Sequence, residues 1–182
     1  MSELKKHSLK EMISEDQINT ILDNLAEQIN RDYADVDNLL LVGLLKGSVV
    51  FMTDLARRLK GDIRFDFMTA SSYGNGTESS GEVKIVMDLA NNIHGRHVML
   101  VEDIIDTGRT LAKTRELLMT REPASLKICT FLDKPERRVT DVPVDYVGIQ
   151  IPDEFVVGYG LDYAERYRQL PYIATVIHHD EA

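Results

Sequence analysis

The residue pattern best suited to chemistry is a set of three carboxylates at the end of a short apolar run. Four apolar residues at 98–101 precede Glu102 and Asp103, and Asp106 follows two further apolar residues. An apolar run of this length predicts a buried strand of a parallel sheet, and ligands bind beyond the carboxyl ends of such strands. Two adjacent carboxylates at that position suit either the cis-diol of a ribose or a magnesium ion.

A turn suited to phosphate follows these carboxylates. Thr107, Gly108, Arg109 and Thr110 lead into a helix that we predict at 110–121. A helix N-terminus offers free amides and a partial positive charge, and a glycine with neighbouring hydroxyls completes a phosphate site. One turn of chain would therefore hold both ends of a ribose 5-phosphate. The alternative interpretation is an acidic surface loop that precedes a capped helix.

The elements that must position these residues alternate between strand and helix, which predicts a single α/β domain with a mostly parallel sheet. Ser14 and Gln17 form a capping-box pattern, and Ser48 is expected to cap a second helix. Residues 71–81 are polar and glycine-containing, and we interpret them as a functional loop. Strands are predicted at 39–45, 63–67, 83–87, 97–101, 126–131, 144–149 and 172–177, and helices at 14–29, 48–59 and 110–121.

The composition is that of an ordinary globular chain of 182 residues with a formal net charge of −9. That charge argues against a binder of nucleic acid, which would need a basic face, but not against a phosphorylated ligand. Cys129 is the one cysteine, and its apolar surroundings predict a buried core residue instead of a nucleophile. A single cysteine allows no intramolecular disulfide, which fits a reducing compartment, so we expect a cytoplasmic protein. No apolar stretch approaches the roughly 20 residues that span a bilayer, so no membrane contact is expected.

The segment 98–110 resembles the motif with which type I phosphoribosyltransferases bind phosphoribosyl pyrophosphate (PRPP). The resemblance covers four apolar residues, two acids, two apolar residues, and then Asp-Thr-Gly with a following Thr110. It implies an α/β fold in which helices flank a twisted, mostly parallel sheet and a small hood covers the base site. The whole chain, 1–182, would form this domain, and residues 131–182 would supply most of the hood.

A second segment narrows the resemblance to the purine branch of the family. Leu45, Lys46, Gly47 and Ser48 follow the first buried strand and resemble its pyrophosphate loop. The resemblance implies a cis peptide between Leu45 and Lys46, and pyrophosphate binding by Lys46 and Gly47. A helix start with a surface lysine is the alternative interpretation.

Two further segments, 131–135 and 151–163, resemble the purine hood of hypoxanthine(-guanine) phosphoribosyltransferases. By this resemblance, Lys134 donates to the purine 6-oxo group, Phe155 stacks on the ring and the Val156 backbone meets the Watson–Crick edge. Asp162 would help to hold Mg²⁺, and Arg168 would reach the leaving pyrophosphate.

The implied reaction is the magnesium-assisted displacement of pyrophosphate from ribose C1 by purine N9. Asp106 is the expected general base at purine N7, and positive charge on the ribose would be favoured by nearby carboxylates. Ser72 and Tyr73, in the 71–81 loop, would close over PRPP and exclude water. The remaining roles fall to Glu102 and Asp103 for the ribose hydroxyls and Mg²⁺, and to Thr107, Gly108, Arg109 and Thr110 for the 5′-phosphate.

Other functions stay open at this point. A phosphoribosyltransferase for xanthine, guanine or adenine is the nearest alternative, although the ammonium of Lys134 favours a 6-oxo over a 6-amino purine because it can only donate. A regulatory RNA-binding protein or an inactive PRPP sensor could retain the same motif. The resemblance implies a homodimer or homotetramer. His178 and His179 alternate across a predicted strand, which favours surface residues over a metal site.

Overall fold

The computed structural model describes residues 5–72 and 83–179. Ser72 is the last residue of a strand, whereas Tyr73 and the rest of the predicted loop up to residue 81 lie outside the described residues. The strands are β1 His7–Ile13, β2 Leu39–Leu44, β3 Ile63–Ser72, β4 Val83–Met87, β5 His97–Ile105, β6 Ser125–Asp133, β7 Tyr146–Gln150, β8 Val156–Val157 and β9 Ile173–His178. The helices are α1 Glu15–Asp32, α2 Ser48–Ala56 and α3 Arg109–Met119, and a 3₁₀ turn spans Pro135–Arg137.

The main sheet has six strands in the order β4-β3-β2-β5-β6-β7. All neighbouring pairs are parallel except β3 and β4. The central strand β2 is buried along its whole length, as its unbroken apolar sequence predicts. The predicted α/β class with a mostly parallel sheet is therefore confirmed. Because β2, β5 and β6 run in the same direction, their last residues, Leu44, Ile105 and Asp133, lie along one edge of the sheet.

Helices cover both faces of this sheet. Leu22 of α1 and Phe51 of α2 pack with Leu41 of β2 in one apolar cluster. Leu118 of α3 packs with Leu100 of β5 in a second cluster on the opposite face. Successive side chains along each strand point to opposite faces, so the core consists of two apolar layers, one on each face of the sheet. The end of β5 is held between these two packed layers.

The structure confirms one predicted helix cap and corrects another. At the start of α1 the Gln17 amide donates to Ser14 Oγ at 3.3 Å, and the Ser14 amide donates to Gln17 Oε1 at 2.9 Å. The predicted cap by Ser48 is wrong. Its hydroxyl donates to the carbonyl oxygen of Leu44 at 2.6 Å, and Gly47 takes the capping position of α2 without a side chain.

Strand β5 is four residues longer than the pattern predicted. Glu102 and Ile104 continue the parallel pairing with β6, opposite Thr130 and Leu132. Glu102 and Asp103 therefore belong to the strand itself and are held by its hydrogen bonds, and only Asp106 lies in the turn that follows.

A small antiparallel sheet with the order β1-β9-β8 forms the hood. The predicted strand at 172–177 is found here as β9, and it pairs with β1 in a register that places His7 opposite His178. The sequence did not predict β1, which brings the N-terminal region into the hood. Within the described part of the chain, no helix is both long and apolar enough to cross a membrane.

Candidate active site

A cavity of about 350 Å³ opens at the carboxyl edge of the parallel sheet. It gathers carboxylates, a glycine turn and two cations from parts of the chain that are far apart in sequence. The predicted site residues in its wall are Lys46, Gly47, Glu102, Asp103, Asp106, Thr107, Gly108, Thr110, Asp162 and Arg168. Arg109, Lys134, Phe155 and Val156 lie outside this wall.

A larger cavity of about 770 Å³ lies at the opposite edge of the sheet, beside Tyr33, Leu39 and Ile63. Its wall contains none of the residues that the sequence singled out. The smaller cavity is the candidate active site because its groups match the chemistry of a phosphorylated sugar, whereas size alone favours the larger one.

Two neighbouring carboxylates give the smaller cavity an electronegative floor. The side chain of Asp103 is almost fully buried, and its Oδ1 accepts from the Ile104 amide at 2.8 Å. Burial, together with the charge of Asp103, raises the pKa of Glu102 well above its ordinary value. Burial also raises the pKa of Asp103. A ligand that brings hydroxyl donors or a cation would relieve this repulsion, so the pair is suited to a diol or a divalent ion.

The phosphate turn depends on the backbone of Gly108. Its φ of +82° is in the left-handed region, and it directly precedes α3. A Cβ at this position would lie 2.6 Å from the carbonyl oxygen of Thr140. A residue with a side chain would therefore be both strained and blocked here. Thr107 supports the turn, since its Oγ1 accepts from the Arg109 amide at 3.4 Å.

The loop after β2 faces the carboxylates from the other side of the cavity. The Leu45–Lys46 peptide is cis, as the family resemblance implied. The hood lies directly on this loop, because a Cβ at Gly160 would be only 2.1 Å from the carbonyl oxygen of Gly47. The Lys46 ammonium is 2.7 Å from Glu165 Oε2.

Asp106 is held from the hood side by two arginines that the sequence interpretation missed. The Nε of Arg137 donates to Asp106 Oδ1 at 2.9 Å, and the Nε of Arg138 donates to the Asp106 carbonyl oxygen at 3.3 Å. Arg138 also pairs with the nearly buried Asp133 at the end of β6. The carboxylate of Asp106 therefore has a fixed direction at the cavity edge.

Lys134 lies next to Asp106 although it is outside the cavity wall. Its amide donates to the carbonyl oxygen of Ile105 at 2.9 Å. Its side chain is 9% exposed, and Nζ donates to the Glu154 carbonyl oxygen at 2.6 Å and lies 3.6 Å from Asp153 Oδ1. A buried ammonium fixed in this way is a directional donor for a ligand oxygen.

Phe155 and Val156 extend the site along the hood. Phe155 is 48% exposed, and its ring meets the ring of Tyr163 edge-on at a centroid distance of 5.3 Å. Val156 is buried in β8 and pairs with Thr175 of β9. An exposed aromatic face beside a fixed strand can accommodate a flat heterocycle.

Asp162 and Arg168 close the cavity on the side of the hood. The Arg168 guanidinium is 2.8 Å from Asp162 Oδ1 and donates to the Gly160 carbonyl oxygen, also at 2.8 Å. Its Nε is buried and has no hydrogen-bond partner among the described residues. An orphan donor beside a polar cavity is consistent with an oxygen-rich ligand.

Most of the side chains that sequence reasoning missed act through an ion pair, and Tyr163 acts through its ring contact with Phe155. Arg137 lies three positions after Lys134, and Asp153 lies two before Phe155, so both fall in or beside the quoted hood segments. Their position in or next to these segments could have identified both as candidate site residues. The partners themselves depend on how the hood folds back onto β5. The missed residues are Asp133, Arg137, Arg138, Asp153, Tyr163 and Glu165.

Comparison with known proteins agrees with this geometry. Residues 11–164 match the phosphoribosyl transferase domain family. The hypoxanthine phosphoribosyltransferase of Escherichia coli (strain K12) is 54% identical over 177 residues, which cover 97% of this chain and 99% of the relative. The hypoxanthine-guanine phosphoribosyltransferase of Streptococcus pneumoniae (strain R6) is 51% identical over 167 residues, 92% of each chain.

Solved structures give the same result for the fold. A hypoxanthine-guanine phosphoribosyltransferase from Bacillus anthracis, with HEPES in its active site, has a TM-score of 0.88 at 49% identity and covers 96% of this chain and 100% of its own. A Staphylococcus aureus hypoxanthine phosphoribosyltransferase has a TM-score of 0.88 at 50% identity, covering 92% of this chain and 90% of its own. This chain therefore belongs to the hypoxanthine(-guanine) phosphoribosyltransferase family of type I phosphoribosyltransferases.

Proposed function

We propose that this chain transfers the 5-phosphoribosyl group of PRPP to N9 of hypoxanthine, and also of guanine, in purine salvage. The products are the nucleoside monophosphate and pyrophosphate. One observation carries the proposal: a single cavity joins the carboxylate pair of β5, the Gly108 turn and the cations Lys46 and Arg168. These groups match, in order, the ribose hydroxyls, the 5′-phosphate and the pyrophosphate of PRPP.

The ribose 5-phosphate is held by the end of β5 and the start of α3. Glu102 and Asp103 accept hydrogen bonds from the 2′ and 3′ hydroxyls, which offsets the burial and the Asp103 charge that together raise the pKa of Glu102. The 5′-phosphate accepts from the amides and hydroxyls of residues 107–110, and Arg109 contributes through its backbone. The helix dipole of α3 adds a favourable field for the phosphate.

Asp106 serves as the general base. As N9 attacks C1 and the bond from C1 to the pyrophosphate oxygen breaks, the Asp106 carboxylate takes the proton from purine N7. The ribose carries positive charge in this transition state, and the nearby carboxylates stabilise it. Arg137 keeps one oxygen of Asp106 in place at 2.9 Å, which supports a base of defined direction.

The purine is recognised by the hood. Lys134 donates to the 6-oxo group, Phe155 stacks on one face of the ring, and the backbone at Val156 contacts the Watson–Crick edge. Because an ammonium donates and does not accept, a 6-amino purine would leave Lys134 without an acceptor. This favours hypoxanthine, guanine or xanthine over adenine.

Mg²⁺ fits this site as an ion shared between protein and substrate. Glu102, Asp103 and Asp162 supply hard oxygen donors at the cavity wall, although within the described residues no group of three or more side chains forms a complete metal cage. Magnesium typically takes one or two carboxylates and completes its shell with water and phosphate oxygens. When bound, it neutralises charge on the leaving pyrophosphate.

An assay with separate bases tests the proposal. The protein is incubated with PRPP, MgCl₂ and either hypoxanthine, guanine, xanthine or adenine, and nucleotide and pyrophosphate are quantified. We expect IMP and GMP, much less XMP, no AMP, and loss of product with excess EDTA. Formation of AMP alone, or of no nucleotide from any base, would contradict the assignment. Salt-dependent RNA binding without turnover would instead support the regulatory alternative.

Self-association is a further part of the proposal. Phe65 of β3 is 43% exposed, and Val49 at the start of α2 is 38% exposed. Phe65 points to the same sheet face as Ile63 and Phe67, which pack against the core beneath α1 and α2. Exposed apolar side chains such as Phe65 and Val49 suit a homodimer or homotetramer, which light scattering after size-exclusion chromatography would detect. A cytoplasmic location stays a prediction.

A further inference from the structure

A carboxylate of the hood joins the two cations to which the proposed function assigns pyrophosphate. Glu165 Oε2 is 2.7 Å from the Lys46 ammonium, and Glu165 Oε1 is 3.4 Å from the Arg168 guanidinium. Each oxygen of one carboxylate thus meets one cation. Lys46 comes from the loop after β2, 119 residues before Glu165. The contact therefore bridges two separate walls of the cavity.

The backbone around Glu165 is in the unfavourable left-handed region. Ala164, Glu165 and Tyr167 have φ values of +50°, +66° and +80°, although none of them is glycine. Left-handed conformations are costly for residues with a Cβ and persist where the surrounding structure holds them. Here the Glu165 amide donates to Asp162 Oδ2 at 2.8 Å. Strain of this kind is concentrated at functional sites.

The ion pair between Lys46 and Glu165 contributes little to folding. The side chains of Glu165 and Lys46 are each 65% exposed, and exposed pairs of this kind have small effects on stability. Lys46, followed by Arg168, lowers the pKa of Glu165, so its carboxylate is ionised at neutral pH. Another anion can therefore displace the Glu165 carboxylate from Lys46 at little cost in stability. We expect this ion pair to affect ligand binding and not folding.

We infer that Glu165 is an internal stand-in for pyrophosphate, which pairs with Lys46 and Arg168 in the ligand-free protein and is displaced when PRPP binds. The inference rests on the proposed function, which assigns the two cations to pyrophosphate. After transfer, the carboxylate competes with the product for the same two cations and so favours release. Glu165 is therefore an affinity-setting residue for PRPP and pyrophosphate and takes no part in bond making.

Pyrophosphate binding tests this role without turnover. Isothermal titration calorimetry with inorganic pyrophosphate and MgCl₂ compares wild type, Glu165→Gln and Glu116→Gln. Glu116 is a matched control because it is also an exposed glutamate in an i,i+3 ion pair, with Lys113 on α3. Glu165→Gln should bind pyrophosphate about five-fold more tightly, which is the size expected when an exposed ion pair no longer competes. Glu116→Gln should match wild type.

A double-mutant cycle separates direct competition from a general change in charge. In a Lys46→Ala background, Glu165→Gln should change pyrophosphate affinity by less than about two-fold, because the shorter competing contact is already lost and only the 3.4 Å contact with Arg168 remains. An equal gain in both backgrounds, or unchanged or weaker binding in Glu165→Gln alone, would overturn the inference and leave the proposed function intact. If wild type binds no pyrophosphate, the assignment of Lys46 and Arg168 itself fails.

Discussion

Gly47 lies directly against the carboxylate of Asp103. A Cβ built on Gly47 would be 1.6 Å from Asp103 Oδ2, far inside any permitted contact. The loop after β2 and the end of β5 therefore interlock at a point where only a hydrogen atom fits. This contact fixes the separation between the proposed pyrophosphate loop and the proposed ribose carboxylates.

Replacing Gly47 with alanine should disrupt the site. Either the loop or Asp103 must move to admit the methyl group, and displacements of about 1 Å can reduce rates about 100-fold. We expect kcat/KM for PRPP to fall by about that factor, as measured in a steady-state assay with hypoxanthine. Circular dichroism should show a folded protein.

The matched control is Gly61→Ala. Gly61 also has a positive φ, +91°, but a Cβ there would meet nothing within 4 Å. This variant should lose about 1–2 kcal/mol of unfolding free energy from backbone strain and retain wild-type kcat/KM. A folded Gly47→Ala protein with undiminished kcat/KM would show that the close contact with Asp103 is not needed.

Asp106→Asn should lower turnover about 10²–10⁴-fold, the usual contribution of a positioned base. Arg137 Nε donates to Asp106 Oδ1 at 2.9 Å in the wild type, and the asparagine oxygen can accept the same hydrogen bond, so the turn should keep its shape. Nucleotide affinity should therefore change by less than about three-fold. Single-turnover kinetics and IMP titration measure the two quantities, and undiminished turnover would remove Asp106 from the role of base.

Much of the fold was predictable because the relevant signals are local. The Ser14–Gln17 capping box marks α1, and an unbroken apolar run marks β2. Strand β1 was missed because a single residue in it, Ile13, is fully buried and its pairing partner β9 lies some 160 residues later. The two-residue strand β8 is too short for any pattern to indicate.

The candidate site was likewise predictable where its signals are local in sequence, and was not predictable where they depend on tertiary packing. Its PRPP motif is contiguous, so the spacing from Glu102 to Thr110 could be read directly from the chain. The partners of its charged groups could not be read from the chain, because each of these ion pairs joins residues that only tertiary packing brings together. Arg137 reaches Asp106 across 31 positions, and Lys46 reaches Glu165 across 119.

Lys134→Met should impair purine use while leaving PRPP binding nearly unchanged. Methionine preserves the buried stem but removes the donor, and a charge-assisted hydrogen bond contributes about 1.5–3 kcal/mol. We therefore expect kcat/KM for hypoxanthine to fall about 10- to 150-fold and KM for PRPP to change by less than about two-fold.

Lys127→Met is the control for Lys134→Met. Lys127 lies near the start of β6, whereas Lys134 directly follows the end of that strand, and Lys127 pairs with Asp145 at 3.5 Å, away from the site. It should keep the kinetics of wild type. Equal losses in both variants would point to a general weakening of β6 and not to recognition of the 6-oxo group.

Cys129 should resist thiol reagents as long as the protein is folded. It is fully buried at the centre of β6, and burial, together with the charge of Asp145, raises the pKa of its thiol well above the ordinary value. Because the thiolate is the reactive form, both its low population and its inaccessibility prevent attack.

Labelling with 5,5′-dithiobis(2-nitrobenzoate) should be negligible in the native protein and should reach one equivalent in guanidinium chloride, since the chain has one cysteine. PRPP with Mg²⁺ should slow any residual labelling, because a ligand that binds only the folded state lowers the population of open forms. Rapid labelling of the native protein, unaffected by ligand, would show that β6 is not the closed core strand described above.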